Sequence, residues 1–214
     1  MYGNTCTKSV AVARQMVANP RHAMRWLTNR LSGKSPLELR QPWLTYGAID
    51  FLRSRIRPGM RVLEWGAGGS TLFFALAGCV ITSVETDRRW FELVRSHLIR
   101  SSLSAAVDLR LVALASPLDG DFAAYLGCVR EAAWDVVLVD GSESEVPTRM
   151  RCLSAAVGHV RPGGLLILDD AWRNEYSSAP DLLREYTRHQ FWGLGPARLP
   201  VGKTDVYIRD ANAH

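Results

Sequence analysis

The chain has 214 residues, of which 47% are hydrophobic, and this suits one domain with a full core. It contains no apolar run long enough to span a bilayer and no apolar signal-like segment near residue 1, so we expect a cytoplasmic protein without a membrane partner. Its net charge of +5 would suit nucleic acid, a membrane surface or an anionic substrate, although a solvated, arginine-rich helix face is the simpler interpretation. The four cysteines include no C-x-x-C pair, which argues against a zinc site and a disulfide framework.

The first part of the chain has helical spacing of its apolar residues. Pro20 interrupts this pattern within residues 8–31, which predicts two short helices in place of one. A further helix is predicted at 43–56, after Pro42. We expect residues 1–40 to form an N-terminal helical lid or interface segment, which could also support a homodimer, and residues 41–214 to form the main domain.

From residue 60 onward, predicted strands alternate with predicted helices. The strands are predicted at 60–64, 79–84, 108–112, 134–140, 164–169 and 204–209. The helices are predicted at 70–77, 88–101, 119–131, 147–158 and 174–188. This alternation indicates an α/β fold with a doubly wound, mostly parallel sheet and helices on both faces. A ligand should bind at the carboxyl ends of the strands.

A glycine-rich turn follows the first of these strands. Gly66-x-Gly68 has Thr71 where the dinucleotide pattern requires its third glycine. Glu64 stands at the end of the strand, where its charge would repel a diphosphate and would suit a cationic group such as an α-amino group. A carboxylate that merely caps a loop is the simpler alternative. The turn indicates a ligand with a positive end.

A second carboxylate ends the next predicted strand. Glu85 follows Glu64 by 21 residues and can accept hydrogen bonds from two ribose hydroxyls. A glycine turn between two acidic strand ends therefore predicts a nucleoside that carries a positive group in place of a phosphate tail. S-adenosylmethionine fits this description.

With these residues in place, the sequence resembles the class I S-adenosylmethionine-dependent methyltransferases over residues 41–209. The segments that carry the resemblance are 64–71, Glu85, 134–141 and 161–170. The resemblance implies a Rossmann-like, seven-stranded sheet with an N-terminal helical segment. It implies cofactor contacts from Glu64, Gly66, Ala67, Gly68, Ser70, Thr71, Glu85, Thr86, Ala115, Ser116 and Asp140.

Three aspartates follow the fourth and fifth strands of the predicted domain. Asp140 and Asp169 end adjacent parallel strands, and Asp170 follows directly. Three converging carboxylates would repel one another without a cation, and oxygen ligands favour Mg²⁺. The pattern resembles metal-dependent O-methyltransferases of the catechol type and, more closely, the macrocin type that acts on sugars. We therefore predict Asp140, Asp169 and Asp170 as Mg²⁺ ligands, and Asp140 and Glu143 as catalytic residues. An aspartate that caps a loop without metal is the alternative.

The predicted function is an O-methyltransferase that acts on a small hydroxylated molecule such as a sugar or glycoside, with Mg²⁺ assisting deprotonation. Trp43 and residues 172–176 could contact this acceptor, and no histidine is placed by a motif. An RNA or protein methyltransferase of the same fold is a second hypothesis, although the sequence has no RNA-binding module and does not favour nucleic acid. A non-catalytic protein that binds S-adenosylmethionine is a third.

Overall fold

The structure, a computed structural model, describes residues 5–112, 120–141, 148–196 and 201–211. Its α-helices are α1 Thr5–Ala18, α2 Pro20–Ser32, α3 Tyr46–Arg55, α4 Gly69–Leu76, α5 Arg88–Arg100, α6 Gly120–Gly127, α7 Thr148–Ala156 and α8 Ala179–Leu182. Its strands are β1 Arg61–Trp65, β2 Val80–Glu85, β3 Val107–Leu111, β4 Trp134–Val139, β5 Val160–Leu168, β6 Tyr186–Gly193 and β7 Gly202–Arg209. Short 3₁₀ turns occupy 104–106, 128–131 and 174–176.

The strands form one sheet of seven in the order β3-β2-β1-β4-β5-β7-β6. The first five strands of this order run parallel, and β7 runs antiparallel to both β5 and β6. Trp65 pairs with Val84 on one side and Val139 on the other, so β1, β2 and β4 end at the same edge. The predicted fold class is confirmed, and the carboxyl ends lie together as expected.

Helices cover both faces of the sheet. On one face, α6, α7 and α8 pack against β4 and β5, with Tyr125 and Leu153 in the buried cluster. On the other face, the helices α1 to α4 bury residues such as Trp26, Ile49 and Phe74. Central strand residues such as Val137 are therefore fully buried, which explains why these strands are apolar at nearly every position.

The N-terminal helices are joined to the main domain by polar contacts. Pro20 begins α2, so the chain divides into two helices where the sequence predicted the break. Asp50 of α3 accepts hydrogen bonds from Arg25 at 2.6 Å and lies 3.0 Å from the imidazole of His22. The side-chain amide of Asn29 donates to the Tyr46 hydroxyl at 2.8 Å. Helix α2 therefore packs directly on α3.

One predicted helix is wrong. In the interval 174–188 the structure has a 3₁₀ turn, the four-residue helix α8 and then the start of β6. From Arg188 to Gly193 the residues alternate between more and less exposed positions, and β7 is an antiparallel partner along the whole of Tyr186–Gly193. Pairing with β7 and packing of the aromatic residues outweigh the local helical pattern. Across the described ranges, none of the helices has the length and apolar character needed to cross a bilayer.

Candidate functional site

A cavity of roughly 370 Å³ opens at the carboxyl ends of β1, β2 and β4, within the size range of small-molecule sites. Its lining residues are Pro36, Leu37, Trp43, Gly66, Ala67, Gly68, Gly69, Ser70, Glu85, Asp87, Trp90, Asp140 and Arg149. Six residues that the sequence proposed as cofactor contacts are in this wall, and Glu64, Thr71 and Thr86 are not. Ala115, Ser116 and Glu143 lie outside the residues that the structure describes.

Gly66 brings the turn after β1 against the end of β4. Its φ of +97° is in the region that favours glycine. A Cβ at this position would lie 2.7 Å from both the Asp140 carbonyl oxygen and the Gly141 nitrogen. The turn and the end of β4 can therefore approach each other only because residue 66 has no side chain.

Gly69 lies under the segment that precedes α3. A Cβ on Gly69 would lie 2.1 Å from the Gln41 carbonyl oxygen and 2.6 Å from that of Pro36. Residues 36–41 therefore cross directly over the first turn of α4. Trp43, which is 44% exposed, lines the cavity on the same side. The sequence suggested Trp43 as a wall residue, but it gave no sign of the contact at Gly69.

Glu64 lies beneath the glycine turn, where it is fully buried and is not part of the cavity wall. Its Oε2 accepts hydrogen bonds from the hydroxyls of Thr71 at 2.5 Å and Ser83 at 2.7 Å. The Thr71 hydroxyl in turn accepts from the Gly68 N–H at 2.9 Å. Within the described part of the chain, Glu64 Oε1 has no hydrogen-bond partner. One oxygen of Glu64 therefore holds the turn through hydroxyl hydrogen bonds, and the other, Oε1, is buried outside that network.

Burial raises the pKa of Glu64 to about 7, against 4.5 ordinarily, although its hydroxyl hydrogen bonds act in the opposite direction. Between about pH 4.5 and 7 the unfolded chain has lost this proton while the folded chain keeps it. The free energy of unfolding should therefore fall as the pH rises through this interval. We expect Glu64→Gln to gain up to about 3 kcal/mol relative to wild type over this interval. Denaturant unfolding of both proteins across the pH range measures this. A difference that does not change with pH would contradict it.

Glu85 lies at the end of β2 and is part of the cavity wall. Its Oε1 accepts from the N–H groups of Thr86 at 2.7 Å and Asp87 at 2.9 Å, and its Oε2 accepts from Ala67 N–H at 3.1 Å. Burial raises the pKa of Glu85, while these backbone donors oppose the shift. The Thr86 hydroxyl is a longer contact, 3.5 Å from Oε1. A carboxylate can accept about four hydrogen bonds, so Oε2, with its single bond from Ala67, keeps acceptor capacity for one ligand hydroxyl.

Two wall residues next to Glu85 were not predicted as contacts. Asp87 caps α5 by accepting from the Trp90 N–H at 2.7 Å. The indole N–H of Trp90 donates to the Ala67 carbonyl at 2.6 Å, which holds the ring against the glycine turn. An aspartate three residues before a tryptophan at a helix start is a capping pattern that could have placed this ring beside the turn.

The predicted magnesium site is not formed. Asp140 pairs with the Arg149 guanidinium at 3.1 Å, and Asp170 pairs with Arg173. Asp169 is fully buried and accepts from the Thr204 hydroxyl at 2.8 Å. No group of three His, Cys, Asp or Glu side chains within the described ranges is arranged to hold a metal. Arginine and threonine donors occupy the carboxylates that were expected to converge on the ion, so these residues do not fit Mg²⁺.

Arg149 of α7 is the functional candidate that sequence reasoning missed. It is 6% exposed and part of the cavity wall. Its guanidinium donates to the carbonyl oxygens of Gly141 at 2.7 Å, Asp169 at 3.1 Å and Asp140 at 3.3 Å. Burial lowers the pKa of Arg149, but the surrounding acidic groups, Asp140 first among them, outweigh burial and raise it. A buried, charged guanidinium therefore lies where the ends of β4 and β5 meet.

Comparison with known proteins places the fold. No family model matches the chain. A ubiquinone biosynthesis O-methyltransferase of Xanthomonas campestris is 27% identical over 123 residues, which are 56% of this chain and 47% of the relative. The chain thus spans about half the length of the curated relatives it matches.

Two solved structures cover more of the chain. An O-methyltransferase from Bacillus cereus, in complex with SAH, superposes with a TM-score of 0.62 at 17% identity and covers 94% of this chain and 99% of its own. TomG of Streptomyces achromogenes, an O-methyltransferase solved with SAM, has a TM-score of 0.56 at 19% identity and covers 74% and 77%. The chain therefore has the fold of the class I S-adenosylmethionine-dependent methyltransferases, as its sequence predicted.

Proposed function

We propose that this protein is an S-adenosylmethionine-dependent O-methyltransferase. One observation carries the proposal: the Glu85 carboxylate and the glycine turn at Gly66–Gly68 open into the same cavity at the switch point of the sheet. Solved proteins of this fold with SAH or SAM bound support the choice of cofactor.

The described residues fit this cofactor. Glu85 has acceptor capacity for a ribose hydroxyl, and Trp90 offers a flat apolar wall beside it. The backbone of the glycine turn, which carries no Cβ at Gly66 or Gly68, accommodates the methionine part at close range. Glu64 Oε1, buried beneath the turn, would attract the cationic amino group through the protein interior or through a bridging water.

The acceptor end of the site is the rim where Asp140 lies. When bound, S-adenosylmethionine supplies a methyl carbon to which the acceptor oxygen bonds, while the carbon–sulfur bond breaks and its electron pair stays on sulfur. Asp140 lines the cavity and pairs with Arg149, so its side chain can accept the hydroxyl proton or orient the acceptor. Because the aspartates do not fit a metal, no step is assigned to one.

A small hydroxylated molecule, such as a sugar or glycoside, is the proposed acceptor. Trp43 lines the cavity, and Trp172 follows β5 with its indole N–H 3.3 Å from Asp170 Oδ1. Each tryptophan is 44% exposed. Exposed indole faces beside carboxylates suit a ring that has an apolar face and a hydroxylated edge.

Two measurements test the function. Calorimetry with S-adenosylmethionine and S-adenosylhomocysteine should give saturable, one-to-one binding. A mass-spectrometric screen of sugars, glycosides and phenols with the same protein should find a product heavier by one methyl group. Binding without any methylated product would favour the non-catalytic hypothesis, and methylation confined to RNA or protein would replace the acceptor class. Absence of binding to either compound would refute the proposal.

Asp140→Asn should separate chemistry from cofactor binding. Removing the carboxylate charge should lower turnover roughly a hundredfold, the usual contribution of a positioned acid or base, while affinity for S-adenosylmethionine stays within about threefold. Asp135→Asn is the matched control, because Asp135 lies near the start of β4, beside Arg161, whereas Asp140 follows the other end of that strand. Equal turnover in the two variants would remove Asp140 from the catalytic step.

A further inference from the structure

Arg149 occupies the centre of the acidic rim. Its three hydrogen bonds to main-chain carbonyls reach both strand ends, since Asp140 and Gly141 follow β4 and Asp169 follows β5. The same guanidinium lies 3.1 Å from the Asp140 carboxylate. One side chain thus contacts the main chain at two of the three positions predicted for Mg²⁺ ligands.

These contacts hold the positively charged guanidinium of Arg149 in one position. The guanidinium is planar, carries its charge at all relevant pH values and directs several donors at once. Burying this charge is unfavourable unless it is paired, and Asp140 together with three carbonyl oxygens supplies the pairing. A guanidinium here satisfies the electrostatic need that three neighbouring aspartates create, which was the reason for expecting a metal.

We propose that Arg149 is a positioning residue that takes the place of a divalent metal at the acceptor rim, so that methyl transfer by this chain requires no metal ion. Arg149 holds Asp140 and Gly141 in place for the acceptor. This inference rests on the proposed function, because it concerns the acceptor end of the same site.

The first test reads metal binding alone. Mn²⁺ is titrated into the wild-type protein, with and without S-adenosylhomocysteine, and free Mn²⁺ is followed by electron paramagnetic resonance. We expect the wild-type protein to have no saturable Mn²⁺ site that depends on Asp169. A saturable Mn²⁺ site that disappears in Asp169→Asn would overturn the inference, even if the protein is a methyltransferase. Failure to bind S-adenosylmethionine in calorimetry would instead refute the proposed function, so the two failures are distinguishable.

The second test uses variants of α7 and the acceptor found in the screen. Arg149→Met should lower turnover about tenfold or more, since Asp140 loses its buried partner. Arg149→Lys keeps the charge and should recover a substantial part of the loss. Arg151→Met is the matched control, because Arg151 is on the same helix, exposed and over the Phe122 ring. We expect the control to match wild type and EDTA to leave wild-type turnover unchanged.

Two outcomes of this second test would contradict the inference. One is equal turnover in Arg149→Met and Arg151→Met, and the other is loss of wild-type turnover in EDTA with recovery in Mg²⁺. Thermal melts establish whether each variant folds. If Arg149→Met does not fold, the chelator experiment and the Arg149→Lys variant decide the question, with a Lys variant that turns over without metal supporting it.

Discussion

Replacing Glu85 by alanine should weaken the binding of S-adenosylmethionine by roughly ten- to a hundredfold. The carboxylate is the acidic group at the β2 end of the cavity wall, and it accepts three backbone N–H groups while retaining acceptor capacity for the ribose. A hydrogen bond from a ligand hydroxyl to a charged acceptor contributes about 1.5–3 kcal/mol, so losing one such bond accounts for this range. Isothermal titration calorimetry measures it directly.

Glu92→Ala is the control for this experiment. Glu92 lies on α5, and its side chain is 53% exposed beside Arg95. Its removal should leave the affinity unchanged. If folded Glu85→Ala binds as tightly as Glu92→Ala, Glu85 does not hold the ribose. Because alanine also removes the acceptor of three backbone donors, Glu85→Gln is the gentler variant, and it should show a smaller loss in the same direction.

Gly66→Ala should destabilise the fold by about 2–4 kcal/mol. A methyl group here would lie 2.7 Å from two backbone atoms of the β4 end, and backbone cannot yield as a side chain would. The positive φ adds further strain of order 1 kcal/mol. Equilibrium unfolding in urea measures the loss, and calorimetry should show weaker cofactor binding because the turn must move away from β4.

The two contributions can be separated at Gly59. This glycine has a φ of +83°, and a Cβ placed on it would meet nothing within 4 Å. Gly59→Ala should therefore cost only about 1 kcal/mol, the contribution of φ alone. Equal losses at Gly59 and Gly66 would mean that close approach of the turn to β4 is not what requires glycine.

The sequence predicted that the glycine turn and Glu85 lie together because the signals for both are local. The glycine turn and Glu85 each follow a strand, and parallel pairing brings both to one edge. The cavity wall includes Gly66, Gly68 and Glu85 as predicted. Glu64 has the right position but a different environment, since Thr71 and Ser83 hold it beneath the turn.

The contacts around Arg149 could not be predicted from the sequence, because they join parts of the chain that are far apart. Arg149 meets carbonyl oxygens eight residues before it and twenty residues after it, and no spacing rule predicts such a pair. The sequence predicted that a metal ion offsets repulsion among the aspartates, whereas in the structure Arg149 pairs with Asp140 and Arg173 pairs with Asp170. Strand β6 was missed for a related reason, since its stability comes from pairing with β7.

The Thr204 hydroxyl of β7 has a consequence for how the chain can be shortened. It donates to Asp169 at the end of β5 and accepts from the Thr45 N–H at 3.1 Å, just before α3. Tyr46 N–H donates to the Leu194 carbonyl after β6 at 2.8 Å. The C-terminal hairpin thus anchors the start of α3, just after the segment that crosses over Gly69. A chain truncated before β7 would lose this anchor together with a strand, and would leave Asp169 buried without its Thr204 donor.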